Sequence, residues 1–210
     1  MKKLLLIFML FAAVPLCAAA TMPAPDALIK STVDEVLAII RQDKDIRTGN
    51  QQKIIELVEA KVLPHFDFTR MTRLAVGKHW RTASPEQRKS LETEFSNLLV
   101  RTYTKAFSVY RDQAIEIKPV KMADGATDVT VKTVIVKPGT PAIPVNYDME
   151  RTAAGWKVYD LAIEGVSLVT SYRGMFSDQI QQSGIDGLIK VLAEKNQAAS
   201  EVSAPKAASK

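Results

Sequence analysis

Residues 143–163 read Ile-Pro-Val-Asn-Tyr-Asp-Met-Glu-Arg-Thr-Ala-Ala-Gly-Trp-Lys-Val-Tyr-Asp-Leu-Ala-Ile, and their first half alternates strictly. Ile143, Val145, Tyr147 and Met149 are apolar, whereas Asn146, Asp148 and Glu150 between them are polar. A period of two over this length predicts a strand with one buried face. Ala153-Ala154-Gly155 turns the chain into a second strand, Trp156 to Ile163. Upstream, Ile115 and Ile117 alternate with charged residues, as do Val129 and Val131. Val134 and Val136 show the opposite parity, which predicts a β-bulge near Lys132-Thr133. Asp124-Gly125 and Pro138-Gly139 supply the remaining turns. The reading is an antiparallel meander of four strands, ended by Gly165.

On either side of the meander the period changes to that of helices. A first helix starts near Asp26 with Ile29, Val33, Val36, Leu37 and Ile40 on one face, and Thr48-Gly49-Asn50 breaks the chain. A second carries Ile54, Leu57, Val58 and Val62 and ends at Pro64; a short third, Asp67 to Val76, stops at Gly77. Ser84-Pro85-Glu86-Gln87 is a capping box with proline at the first helical position. The long helix it opens runs to about Tyr110, with Leu91, Phe95, Leu98, Leu99, Thr102, Tyr103 and Phe107 as its apolar stripe. After the sheet, helix resumes at Ser167, is punctuated by Ser183-Gly184, and continues to Lys195. Residues 197–210 are too poor in apolar side chains to build a core and read as a disordered tail. The fold class is α+β, with helices packed on one face of a four-stranded antiparallel sheet.

The N-terminus sets the compartment. Lys2 and Lys3 precede an apolar run from Leu4 to Val14, and Cys17-Ala18-Ala19-Ala20 fits a small-residue cleavage site. That run is shorter than the roughly 20 residues a membrane span needs. Residues 1–20 therefore read as a secretory signal peptide, and 21–196 as the folded domain. Cys17 is the only cysteine, so cleavage leaves a chain without disulfides, thiolate metal sites or cysteine nucleophiles. Removing Lys2 and Lys3 lowers the formal charge from +5 to +3. This modest excess, without long basic runs, argues against a nucleic-acid partner.

Catalytic constellations are missing from the sequence. His65 and His79 are the only histidines, and His65-x-Asp67 has no third ligand at matching spacing. No P-loop, dinucleotide fingerprint, zincin motif or serine-nucleophile motif occurs. Asp160 and Glu164 could act as an acid–base pair on a hydrophobic substrate, the one enzymatic alternative. The plainer reading is that one of them accepts hydrogen bonds from the helix that follows. What remains is apolar surface from two sources read as facing each other, the stripe on the long helix and the inner face of the meander. Periodicity alone does not separate a filled core from a lined cavity.

The segment Gly155-Trp156-Lys157-Val158-Tyr159-Asp160-Leu161-Ala162-Ile163-Glu164-Gly165-Val166-Ser167 carries a W-x-V-Y-D-x-x-I-E-G-V-S pattern. Two more stretches accompany it, Leu74 to Arg88 entering the long helix and Ser183-Gly184-Ile185-Asp186-Gly187-Leu188 near the end. Together they closely resemble the Mla-pathway periplasmic phospholipid-binding proteins, also known as the toluene-tolerance family. The resemblance spans about residues 26–196. It implies a nuclear-transport-factor-like fold around a deep apolar pocket, and a periplasmic carrier with no catalysis and no cofactor. The cargo implied is a glycerophospholipid held by its acyl chains and moved between outer and inner membranes, which maintains outer-membrane lipid asymmetry. The partners implied are an inner-membrane ABC transporter complex and an outer-membrane lipoprotein–porin complex. Tyr103, Val145 and Val166 stand where the family's pocket-lining positions fall. Periodicity adds Leu99, Phe107, Val131, Tyr147 and Val158, each of which could equally be plain core.

Overall fold

The computed structural model describes residues 22–108 and 113–203, with side chains for 22–104 and 113–199. The leader read over residues 1–20 lies outside the described residues, as do 204–210; 197–203 continue the last helix. Three helices open the chain: α1 (Pro25–Gln42), α2 (Lys44–Arg47) and α3 (Gln51–Lys61). Asp43 caps α2 by accepting from the Asp45 and Ile46 amides, and Asn50 caps α3 through the Lys53 amide. A 3-10 turn, Leu63–His65, leads into α4 (Phe68–Val76), capped by Asp67 through the Arg70 amide at 2.7 Å. The capping box before α5 (Pro85–Ser108) forms as expected. The Gln87 amide donates to Ser84 Oγ at 3.2 Å, and the Ser84 amide donates to Gln87 Oε1 at 3.0 Å.

The sheet has five strands in sequential antiparallel order: β1 (Ala114–Ile117), β2 (Asp128–Val136), β3 (Ile143–Thr152), β4 (Gly155–Ile163) and β5 (Val166–Ser167). Four were expected. The fifth arises because Glu164 and Gly165 adopt φ of 52° and 83° and fold the chain back as a two-residue hairpin. Positive φ at both central residues is what a type I′ turn requires, so Gly165 makes a hairpin instead of ending the sheet.

The expected bulge near Lys132-Thr133 is absent: β2 and β3 pair in unbroken register from Asp128↔Glu150 to Ile135↔Ile143. Thr133 continues the inward parity of Val129 and Val131 because its hydroxyl donates to the Val145 carbonyl at 3.0 Å. Val134 and Val136 take the other face. The register slips instead between β3 and β4, where Asp148 pairs with Asp160 but Met149 pairs with Val158. Tyr159 is the extra residue, and a bulge there bends the strand.

α6 (Leu168–Ser203) returns over α5 and α4, broken at Gly184 with φ 73° and ψ −178°. Its start is held by Asp160, whose carboxylate accepts from the Val169 amide at 3.1 Å and from Ser167 Oγ at 2.5 Å. Three apolar clusters result. α4, α5 and α6 enclose the largest, α1 covers the inner face of the sheet, and α1, α2 and α3 share a third.

Candidate functional site

The residues singled out from the sequence divide between two of these clusters. Leu99 is buried among Met71, Phe95, Val169 and Phe176, and half-buried Tyr103 lies at the margin of the same cluster. Phe95 meets Tyr172 and Phe176 edge-on, with centroids 5.0 and 5.1 Å apart. The buried part of the α5 stripe therefore faces α4 and α6, not the sheet as the sequence suggests. Periodicity identifies an apolar face but not the surface that meets it. Phe107 lies outside the described side chains.

Val131, Tyr147 and Val158 come together in the second cluster, on the inner sheet face. Val131 pairs across with Tyr147, Tyr147 with Leu161, and Met149 with Val158. Val131, Met149 and Val158 are fully buried, with Ile29 of α1 and Trp156 completing the group. The face also holds the hydroxyls of Thr133 and Tyr147, and burial pushes the Tyr147 phenol above the ordinary range. Burial raises the Tyr103 phenol as well. Val145 is buried at the far end of this face, between Thr133 and Ile163. Val166 is not gathered in; it is 60% exposed on β5.

Phe66 was missed by the sequence reading, yet among the described residues it alone packs against both clusters. Its backbone bridges Val158, the Asp67 amide donates to the Val158 carbonyl at 2.8 Å, and its ring stacks on Phe68 at 5.8 Å. The aromatic pair in Phe66-Asp67-Phe68, directly after a proline-ended helix, was the available signal.

At the end of the sheet beyond Val145, a cavity of about 390 Å³ opens to solvent. Ile135, Pro141 and Ile143 form its apolar wall, and Gln113, Lys137, Thr140 and Glu164 its polar one. Ile143, 39% exposed, is paired with Ile135 across β2 and β3.

The acid–base alternative finds no support in the position of its carboxylates. Asp160 accepts from the Leu161 amide at 2.8 Å as well as from Val169 and Ser167, so it is a helix cap and strand-end tie. Glu164 sits in the β4–β5 turn. Arg70 is engaged by Asp128 at 3.0 Å and by Glu150, with its guanidinium 3.5 Å from the Tyr159 ring centre. It thereby clamps α4 to the bulged strand. His79 Nε2 is buried without a hydrogen-bond partner. Among the described residues no group of three or more His, Cys, Asp or Glu is placed to hold a metal ion, and no helix is long and apolar enough to cross a membrane.

A family model described as MlaC protein matches residues 30–194. The chain belongs to the MlaC protein family. The match includes every candidate residue above and both clusters apart from Leu28 and Ile29 of α1. This MlaC family member is 26% identical over 200 residues to the toluene tolerance protein ttg2D of Pseudomonas putida, covering 92% of each chain. It is 23% identical over 169 residues to the intermembrane phospholipid transport system binding protein MlaC of Haemophilus influenzae, covering 79% of each. Among solved structures, a phospholipid-binding protein from Ralstonia solanacearum, in complex with a phospholipid, superposes with a TM-score of 0.79. That protein is 38% identical, and the match covers 85% of this chain and 99% of the other.

Proposed function

We infer that this MlaC family member is a phospholipid carrier that binds its cargo by the acyl chains and performs no chemistry on it. The observation that carries the reading is the likeness, at 38% identity over nearly all of the other chain, to a structure containing a phospholipid. The names of its relatives, with toluene tolerance and intermembrane phospholipid transport among them, point the same way.

The physics of the cargo agrees. Each CH₂ removed from water contributes about 0.8 kcal/mol, so acyl chains need an enclosure and no catalytic group. The site we propose is the seam between the two clusters, where Phe66 bridges Leu99 and Tyr103 on one side and Val131, Tyr147 and Val158 on the other. Val145 and Val166 would serve the end where the head meets water. Residues 1–20 would export the chain, and a soluble domain of residues 21–196 would act in a Gram-negative periplasm. There it would pass lipid between an outer-membrane lipoprotein–porin complex and an inner-membrane ABC transporter complex, preserving outer-membrane lipid asymmetry.

Organic extraction of the purified protein followed by mass spectrometry tests the reading. Phospholipid in near-stoichiometric amount is expected. A folded protein that yields none, and takes none up from vesicles, would overturn it.

A further inference from the structure

The cavity at the end of the sheet has features that acyl chains do not use. Its volume, about 390 Å³, lies at the lower end of the range of about 300–1,000 Å³ for small-molecule sites, small for a whole diacyl lipid. It is lined by one cation and one anion, Lys137 and Glu164, neither of which has a salt-bridge partner among the described residues. Both are held by the backbone of turns. The Lys137 carbonyl accepts from the Thr140 amide at 3.2 Å and from its hydroxyl at 3.1 Å. The Glu164 amide donates to the Pro144 carbonyl at 2.9 Å.

Glu164 is also the only described residue other than glycine with positive φ, at 52°. Asparagine or glycine would occupy that position of a type I′ turn with less strain. A strained backbone bearing a charged side chain on a cavity wall is the pattern expected of a binding position.

We propose that this cavity is a subsite for a zwitterionic phospholipid headgroup, with Lys137 facing the phosphodiester and Glu164 the ammonium group. The proposal rests on the carrier reading and deepens it by naming the headgroup class. Paired charges of opposite sign suit a phosphate carrying an amine better than a purely anionic head, which Glu164 would repel. Because both charges are solvent-exposed, each contributes little, about 1 kcal/mol or less, equivalent to about fivefold at most. The subsite therefore sets preference among lipids, while the acyl chains supply the affinity.

The test loads delipidated protein from vesicles containing equal phosphatidylethanolamine and phosphatidylglycerol and reads the bound lipid by mass spectrometry. Wild-type protein should be enriched in phosphatidylethanolamine. Glu164→Gln should lower the bound ratio of phosphatidylethanolamine to phosphatidylglycerol by about threefold. Glu164→Asn, which removes the charge while easing the turn, should do the same and guards against a folding defect. Lys137→Gln should reduce loading of both lipids about equally. An unchanged ratio in both Glu164 variants, with lipid still bound, overturns the headgroup subsite and leaves the carrier reading intact. Failure of the wild type to bind either lipid overturns the carrier reading itself. Loss of the wild-type preference in millimolar inorganic phosphate would mark a site for free anion and also overturn the proposal.

Discussion

The cluster between α4, α5 and α6 is filled by interlocking rings, whereas the apolar face of the sheet is covered by α1 and Phe66 and has hydroxyls set into it. In the first, Phe95, Tyr172 and Phe176 contact one another at 5.0 to 5.6 Å, and Leu91, Met71 and Leu188 close the space around them. In the second, Val131, Met149 and Val158 are buried beside Tyr147 and Leu161, and among the described residues no two rings of the sheet face stack on each other. The Thr133 hydroxyl donates to the Val145 carbonyl beside them. The difference assigns roles. A cluster of interlocked rings loses its contacts together when it opens, whereas the sheet face, covered by α1 and the Phe66 ring, can exchange that cover for a ligand at lower cost.

The largest effect is expected from Phe95→Ala, which should cost about 3–5 kcal/mol in urea unfolding because the rings cannot close the gap. A loss below about 1 kcal/mol would show that the helical cluster is itself plastic and dissolve the contrast. Val145→Trp should instead act on cargo, cutting the retained phospholipid several-fold. Its stability penalty should stay below the roughly 1–3 kcal/mol typical of overpacking a closed core. Normal lipid content with a full overpacking penalty would make the sheet face an ordinary solid core.

Asp160→Ala should lie lower on the scale. It removes the acceptor for Val169, Leu161 and Ser167 and should cost about 1–2 kcal/mol by thermal or urea unfolding, with lipid content unchanged. A turnover lost in that variant with stability intact would instead revive the acid–base reading.

The smallest effect concerns His65, beside Phe66 at the junction of the clusters. Burial, then the charge of Lys157, holds its imidazole below the usual 6.5, with Glu35 opposing weakly. A depressed histidine favours the fold when neutral, so its contribution is present above pH 6.5 and is lost as pH falls through the lowered value. His65→Asn should flatten the loss of stability as pH falls below 6.5, measured by urea midpoints. An identical slope in both proteins would place the acid sensitivity elsewhere.

Most of the architecture was legible in the sequence because it rests on local rules. Ile143 to Glu150 alternates so strictly that one register buries the right face. Ser84 to Gln87 specifies its own cap, and Gly184 breaks α6 where punctuation was read. The bulge was misplaced for a physical reason. Thr133 looks polar in the sequence but is compatible with the inner face once its hydroxyl reaches Val145. Trp156 to Ile163 has apolar side chains at both parities, which hides the extra residue at Tyr159.

The candidate site was less legible because its partners are long-range. The apolar stripe of α5 is evident, but its burial against Tyr172 and Phe176 depends on α6, some 70 residues downstream. Phe66 reaches both clusters only because the chain at Asp67 pairs with Val158. Val166 looked like a lining residue from the family pattern, and the two-residue β5 hairpin leaves it largely at the surface.

A crystal structure of the protein purified with its lipid would test the central claim most directly. The account predicts acyl-chain density in the seam, between Tyr103 and Leu99 on α5 and Val131, Tyr147 and Val158 on the sheet, with the helical cluster unmoved. Lipid bound on an outer surface, with the sheet face packed on α1 and Phe66 as it is here, would contradict it.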